Sequence, residues 1–180
     1  MAVVTLAPKA DQSLVEYTVG QALQTCTYPG IAQCFAIAGW TQSAMLCTHV
    51  SPGATKADMA TTFESLRGMG GDQVLYWYVV GPFNEHFAVQ KAQWRSVKDI
   101  KKTFESQLKN KAASHFVLDA TGERNTKVLD PGFTIPRTFS GIDIRAEHRG
   151  WESMIWFSYK ESSARVKTWN RFKLESFKRF

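Results

Sequence analysis

Cys34 and His49 lie fifteen residues apart on two apolar runs, Ile31-Ala-Gln-Cys-Phe-Ala-Ile-Ala38 and Ser43-Ala-Met-Leu-Cys-Thr-His-Val50. Gly39-Trp-Thr-Gln42 separates the runs, which read as the two arms of one β-hairpin. With Thr41 and Gln42 as a two-residue turn, Trp40 pairs with Ser43 and Cys34 falls opposite His49. Opposed residues share a face, with Cβ atoms about 5 Å apart. A register slip of two residues keeps the pair on one face as diagonal neighbours, and a slip of one separates it. A thiol held against an imidazole is a candidate activated nucleophile. Taken singly, Cys34 is an ordinary buried strand cysteine and His49 a hydrogen-bonded strand-end histidine; their shared face is what raises the catalytic reading. A zinc or copper set made of Cys26, Cys34, Cys47 and His49 is the competing chemistry. Cys47 sits two residues along from His49, Cys26 falls outside the strand, and no second close-spaced pair is present. That spacing is a weak metal signal, so neither metal nor cofactor is expected.

The elements that must hold this pair follow from punctuation and periodicity. Ser51-Pro-Gly53 ends the second arm, and Thr55 reads as the N-cap of a helix with Asp58 in its first turn and Met59, Phe63 and Leu66 as its apolar stripe. Gly68, Gly70 and Gly71 end that helix. They follow a helix instead of opening one, so they are no phosphate cradle. Val74–Val80 reads as a buried strand closing at Gly81-Pro82. A second helix opens at Ser96 with Asp99 in the capping position and Val97, Ile100, Phe104 and Leu108 inward. Strand signals recur at His115–Asp119, around Val128 and Ile135, at Ile142–Ile144 and at Met154–Tyr159, with a turn at Thr121-Gly122-Glu123. His86 reads as a loop histidine that could border a cleft, and Asp119, Glu123, Asp130 and Asp143 as turn or strand-edge carboxylates. The fold class expected is α+β, a mixed or antiparallel β-sheet sandwich flanked by helices, in one domain spanning 1–180.

The 180 residues suffice for a real core, and 44% hydrophobic against 21% charged composition is that of a globular chain. No apolar stretch is long enough to span a bilayer, and the N-terminus lacks a basic n-region. Three cysteines are too few for a disulfide framework and suit a reducing compartment, either cytoplasm or a host cell reached without a cleaved signal. The net charge of +6 is uneven: residues 161–180 hold six Lys or Arg against two Glu. From about Ser162 the chain reads as a basic amphipathic helix, 162–180, with Val166, Trp169, Phe172, Phe177 and Phe180 on one side and Lys167, Arg171 and Lys178 opposite. Such a helix docks on the sheet or meets a partner or an anionic membrane. No recognised nucleic-acid module accompanies it.

Ile31-Ala-Gln-Cys34, Thr48-His-Val-Ser-Pro52, Lys101-Lys-Thr-Phe104 and Val117-Leu-Asp-Ala-Thr-Gly-Glu-Arg-Asn125, in this order of elements, resemble a superfamily of glutamine deamidases. It comprises the CheD chemoreceptor deamidases, the catalytic domain of cytotoxic necrotizing factors and Burkholderia lethal factor. The likeness spans roughly residues 15–145 as an order of elements. Gln33 stands where those proteins have Gly or Ser, and Tyr28, flanked by Thr25 and Thr27, stands where they have a Thr about six residues before the Cys. The resemblance implies a thioester mechanism on a partner protein's glutamine, with Cys34 as nucleophile and His49 as base and acid in a thiolate–imidazolium pair. Thr27 would orient the imidazole, and backbone N–H groups near Cys34 would hold the oxyanion. By loose analogy it also suggests a toxin or effector. The alternatives are a non-enzymatic protein-binding domain on the same fold and another cysteine-dependent amide or ester hydrolase.

Overall fold

The two apolar runs form the expected hairpin in a computed structural model that describes residues 2–120, 141–149, 154–162, 168–172 and 177–179. Upstream of it come three strands absent from the sequence reading: β1 (Val4–Thr5), β2 (Lys9–Ser13) and the long β3 (Thr18–Ile31). The hairpin arms are β4 (Phe35–Trp40) and β5 (Met45–Val50). Then follow α1 (Lys56–Gly68), β6 (Tyr76–Gly81), the short α2 (Phe83–Ala88), α3 (Val97–Leu108) and β7 (Ser114–Asp119). Beyond these lie β8 (Ile142–His148), β9 (Ile155–Glu161), β10 (Asn170–Arg171) and β11 (Lys178–Arg179). The strand signals at Val128 and Ile135, the turn at Thr121–Glu123, and Asp130 fall outside the described residues.

The architecture is α+β. All eleven described strands belong to one mixed sheet in the order β10-β9-β8-β3-β5-β4-β6-β7-β11, with β1 and β2 paired in parallel to β3. That sheet is curled. Tyr78 of β6 and Phe157 of β9 lie five strand positions apart, which a flat sheet would separate by ~24 Å. Their rings are 5.4 Å apart. β3 makes the curl possible by changing partners along its length: Val19–Ala22 pair with β5, and Thr25–Ile31 pair with β8. Extended, the ten steps from Thr18 to Tyr28 would span ~33 Å. Yet the Thr18 carbonyl accepts the Thr48 hydroxyl at 2.9 Å, while the Tyr28 ring lies 6.4 Å from that of the next residue, His49. The strand is bent into an arc, so that its start and the ring of Tyr28 both approach the end of β5.

The curl divides the apolar residues into two cores. Its concave face holds Leu14, Cys26, Tyr28, Ala36, Met45, Cys47, Ile144 and Phe157. Its convex face carries Phe35, Ile37, Leu46, Trp77 and Val79, covered by α1 and α3. Both helices start as their sequences dictate. Thr55 and Asp58 form a reciprocal capping box, Ser96 accepts from the Asp99 N–H, and the expected stripes Met59-Phe63-Leu66 and Ile100-Phe104-Leu108 are buried.

The C-terminal expectation is corrected. Where residues 162–180 are described they contain no helix: Asn170–Arg171 pair with β9 and Lys178–Arg179 with β7, at opposite edges of the sheet. The aromatic residues do dock on the core as a helical stripe would have. Phe172 is buried beside Tyr159, and Phe177 packs on Tyr78 and Phe157. Two unpaired sheet edges offer this segment backbone hydrogen bonds, which a periodicity argument does not see.

The convex core leaves no room at Gly39, which pairs with Trp77: a Cβ there would stand 2.5 Å from the indole ring. Gly39→Ala is therefore expected to lower unfolding free energy by about 1–3 kcal/mol in urea titration. A change below about 0.5 kcal/mol would show that the buried indole shifts freely.

Candidate active site

The hairpin register differs from the expected one by two residues. The turn spans Thr41–Ala44, where the Thr41 hydroxyl accepts from the Ala44 N–H at 3.0 Å and the Thr41 N–H donates to the Ala44 carbonyl at 2.9 Å. Trp40 consequently faces Met45, and His49 faces Ala36. Cys34, two residues outside Ala36, keeps the face of His49 as its diagonal neighbour, because a shift of two preserves side-chain parity. The structure adds a third group. The Cys34 sulfur, a His49 ring nitrogen and a Glu16 carboxylate oxygen all lie within 4.8 Å of one another. Glu16 belongs to the connection between β2 and β3 and is exposed, whereas Cys34 and His49 are buried.

His49 is held by main chain. Its Nδ1 lies 2.9 Å from the Leu14 carbonyl oxygen. A carbonyl accepts only, so Nδ1 carries the proton and neutral Nε2 presents its lone pair. That Nε2 is buried and has no hydrogen-bond partner among the described residues. Burial lowers the pKa of His49, against the opposing pull of the Leu14 bond and the Glu16 charge. Leu14 is held in turn by its N–H donating to the Thr27 carbonyl at 2.8 Å. Thr27 pairs with Arg145 and is half-buried, alternating with the inward-facing Cys26 and Tyr28. The imidazole's orienting carbonyl is that of Leu14, with Thr27 one hydrogen bond behind it.

Cys34 rests as a neutral thiol. It donates to Glu16 Oε1 at 3.3 Å, and its pKa is pushed up to about 12 by burial first and by the Glu16 charge second. The thiolate–imidazolium pair expected from the resemblance is therefore not the resting state: both partners are neutral, because each would lose hydration on charging. The backbone on either side of Cys34 is tightly packed. His86 Nδ1 lies 2.8 Å from the Gln33 carbonyl, and the imidazole stacks on Phe35 at 4.0 Å. A Cβ on Gly81 would stand 2.5 Å from the Cys34 carbonyl oxygen. His86, expected on a surface loop, is instead a buried support on α2, kept neutral by burial with its pKa lowered to about 4.

Gln33 turns its side chain to solvent, so its size is accommodated where the resemblance has a small residue. Cys26 and Cys47 are free and buried in the concave core, outside the Glu16–Cys34–His49 group. Asp119 accepts from the Phe83 N–H, and Asp143 binds Lys160 at 3.3 Å and the Gly30 N–H at 3.0 Å, so these carboxylates serve local structure. No helix among the described residues is long and apolar enough to cross a membrane. A shallow concavity bordered by Gln42, Met69 and Leu75 lies at the hairpin's turn, the opposite end from Cys34. Glu16 and Leu14 were missed from sequence. They lie in a short connection with no periodic or motif signal, and only its return to the end of β5 gives them a role.

Searches of protein-family models, of curated proteins and of solved structures return no match to this chain.

Two outcomes follow. Iodoacetamide labelling of Cys34 should keep accelerating as pH rises past 9.0, the ordinary thiol value. Glu16→Gln, which removes a raising charge, should speed labelling about ten-fold for each pKa unit recovered. A rate that already levels off below 9.0 in the wild type would contradict the neutral thiol. The second outcome concerns acid stability. His49 and His86 have folded pKa values below their ordinary 6.5, so the unfolded chain binds more protons in that range. Their contribution is present above pH 6.5 and is lost as pH falls below it, for His86 over the range down to about 4. Urea midpoints should drop across that window, and less steeply in His86→Gln.

Proposed function

We propose that this chain is a cysteine-dependent amidohydrolase acting on protein glutamine, converting it to glutamate through a thioester on Cys34. The observation that carries the reading is the buried His49 Nε2 lone pair on the same face as the Cys34 thiol, with Glu16 at the exposed edge. In the proposed cycle the thiol proton passes to Nε2 as Sγ attacks the side-chain amide carbon. The backbone N–H of Cys34, just before the first paired residue of β4, is the proposed oxyanion donor. The imidazolium then protonates the departing ammonia. Nε2, neutral again, takes a proton from the water that opens the thioester, and Cys34 leaves as thiol.

Glu16 has two opposed effects in this cycle. Its charge holds the resting thiol protonated, yet the same charge favours the imidazolium that attack creates. The order of hairpin, capped helix, strand and second capped helix supports the likeness to the CheD and necrotizing-factor deamidases. A layered sandwich of their kind, a protein partner presenting the glutamine and an effector role belong to this same reading.

The test is to incubate the full chain with cell-extract protein and map glutamine-to-glutamate conversion by peptide mass spectrometry. Conversion at discrete sites by the wild type, absent with Cys34→Ser, is the expected result. Equal background with both would reject the reading. Glu16→Gln should slow conversion while it speeds alkylation, a split that a merely structural glutamate would not produce.

A further inference from the structure

We propose that Glu16, Cys34 and His49 also form a binding site for a thiophilic divalent cation, with Zn²⁺ the best fit. The three side chains offer one sulfur, one imidazole nitrogen and one carboxylate oxygen, all within 4.8 Å of one another. A tetrahedral zinc with bonds of about 2.0–2.3 Å sets its donors roughly 3.3–3.8 Å apart, so closing the set takes about an ångström of movement. Glu16 already stands 3.3 Å from the Cys34 sulfur, so the remaining closure is toward His49, which the sheet fixes, by Glu16 and by Cys34, which lies just outside the first paired residue of β4.

The state of His49 is the independent observation. The ring is 3% exposed, and its Nε2 has no hydrogen-bond partner among the described residues. Its Nδ1 is spent on the Leu14 carbonyl, the second-shell arrangement that fixes the tautomer of metal-ligating histidines. A cation on Nε2 would satisfy a buried lone pair that no described residue meets. Charge also balances. Binding releases the Cys34 proton to solvent, so a thiolate and a carboxylate together offset the two positive charges. Three protein donors leave the fourth tetrahedral position for water or another ligand.

Metal binding by this set stands without the deamidase reading. Its consequence rests on that reading: an occupied site ties up both the sulfur and the Nε2 lone pair, so Zn²⁺ would be a reversible inhibitor.

The experiment is titration of the chelator-treated full chain with Co²⁺, followed by absorption. The expected result is a near-ultraviolet thiolate-to-cobalt charge-transfer band with visible d–d bands. Cys34→Ser should abolish the charge-transfer band. Glu16→Gln, an exposed substitution that spares the fold, should weaken binding by at least the roughly ten-fold that loss of even an outer-shell partner costs. Zn²⁺ should displace the cobalt and slow Cys34 alkylation until EDTA is added. Absence of the charge-transfer band, or its persistence in Cys34→Ser, overturns the proposal. Glutamine conversion measured in EDTA reports on the catalytic reading separately, since no metal takes part in it.

Discussion

The bend of β3 is the constraint on which the rest of this protein depends. Its first residues pair with β5 and its last with β8, and the strand bends strongly between them. Because of that bend, the connection from β2 can be four residues long, Leu14–Tyr17, bonding to Thr27 at one end and to His49 at the other. There Leu14 delivers its carbonyl to His49, and the Tyr17 N–H donates to the carbonyl of the same residue. A flat β3 would open the concave core, carry Tyr28 away from His49 and leave the imidazole with no acceptor for Nδ1.

Burial then decides the chemistry. The arc removes water from Cys34 and His49, and both respond by resting uncharged. Glu16, at the open edge, is the charged member of the group and acts on its neighbours in opposite senses, discouraging the thiolate and favouring the imidazolium. A nucleophile of this kind is generated at the moment of attack instead of being stored. That arrangement demands positional accuracy, and the backing of Gly81, Phe35 and His86 against the Cys34 backbone supplies it from the convex side.

Local signals in the sequence carried a good part of the fold. The capping residues Thr55 and Ser96 mark true helix starts, and the apolar stripes behind them are the buried ones. The strands around Val74, His115, Ile142 and Met154 stand within one or two residues of their expected starts. Information failed where partners are distant. The aromatic spacing of 169–180 fits a helix about as well as it fits two edge strands, and only the vacant edges beside β9 and β7 choose between them. The hairpin turn differed by two residues because the Thr41 side chain closes a four-residue turn, which the sequence of the arms does not reveal.

By itself the sequence determined that Cys34 and His49 share a face, because alternation along two neighbouring strands survives any even slip of register. It also determined where α1 and α3 start and which of their residues turn inward, since caps and periodicity are local properties. Only the tertiary structure decided the third member of the group, the tautomer of the histidine and the protonation of the thiol. Those follow from which residues the arc of β3 brings back to the end of β5 and from how much water it excludes there, and no stretch of adjacent residues encodes either.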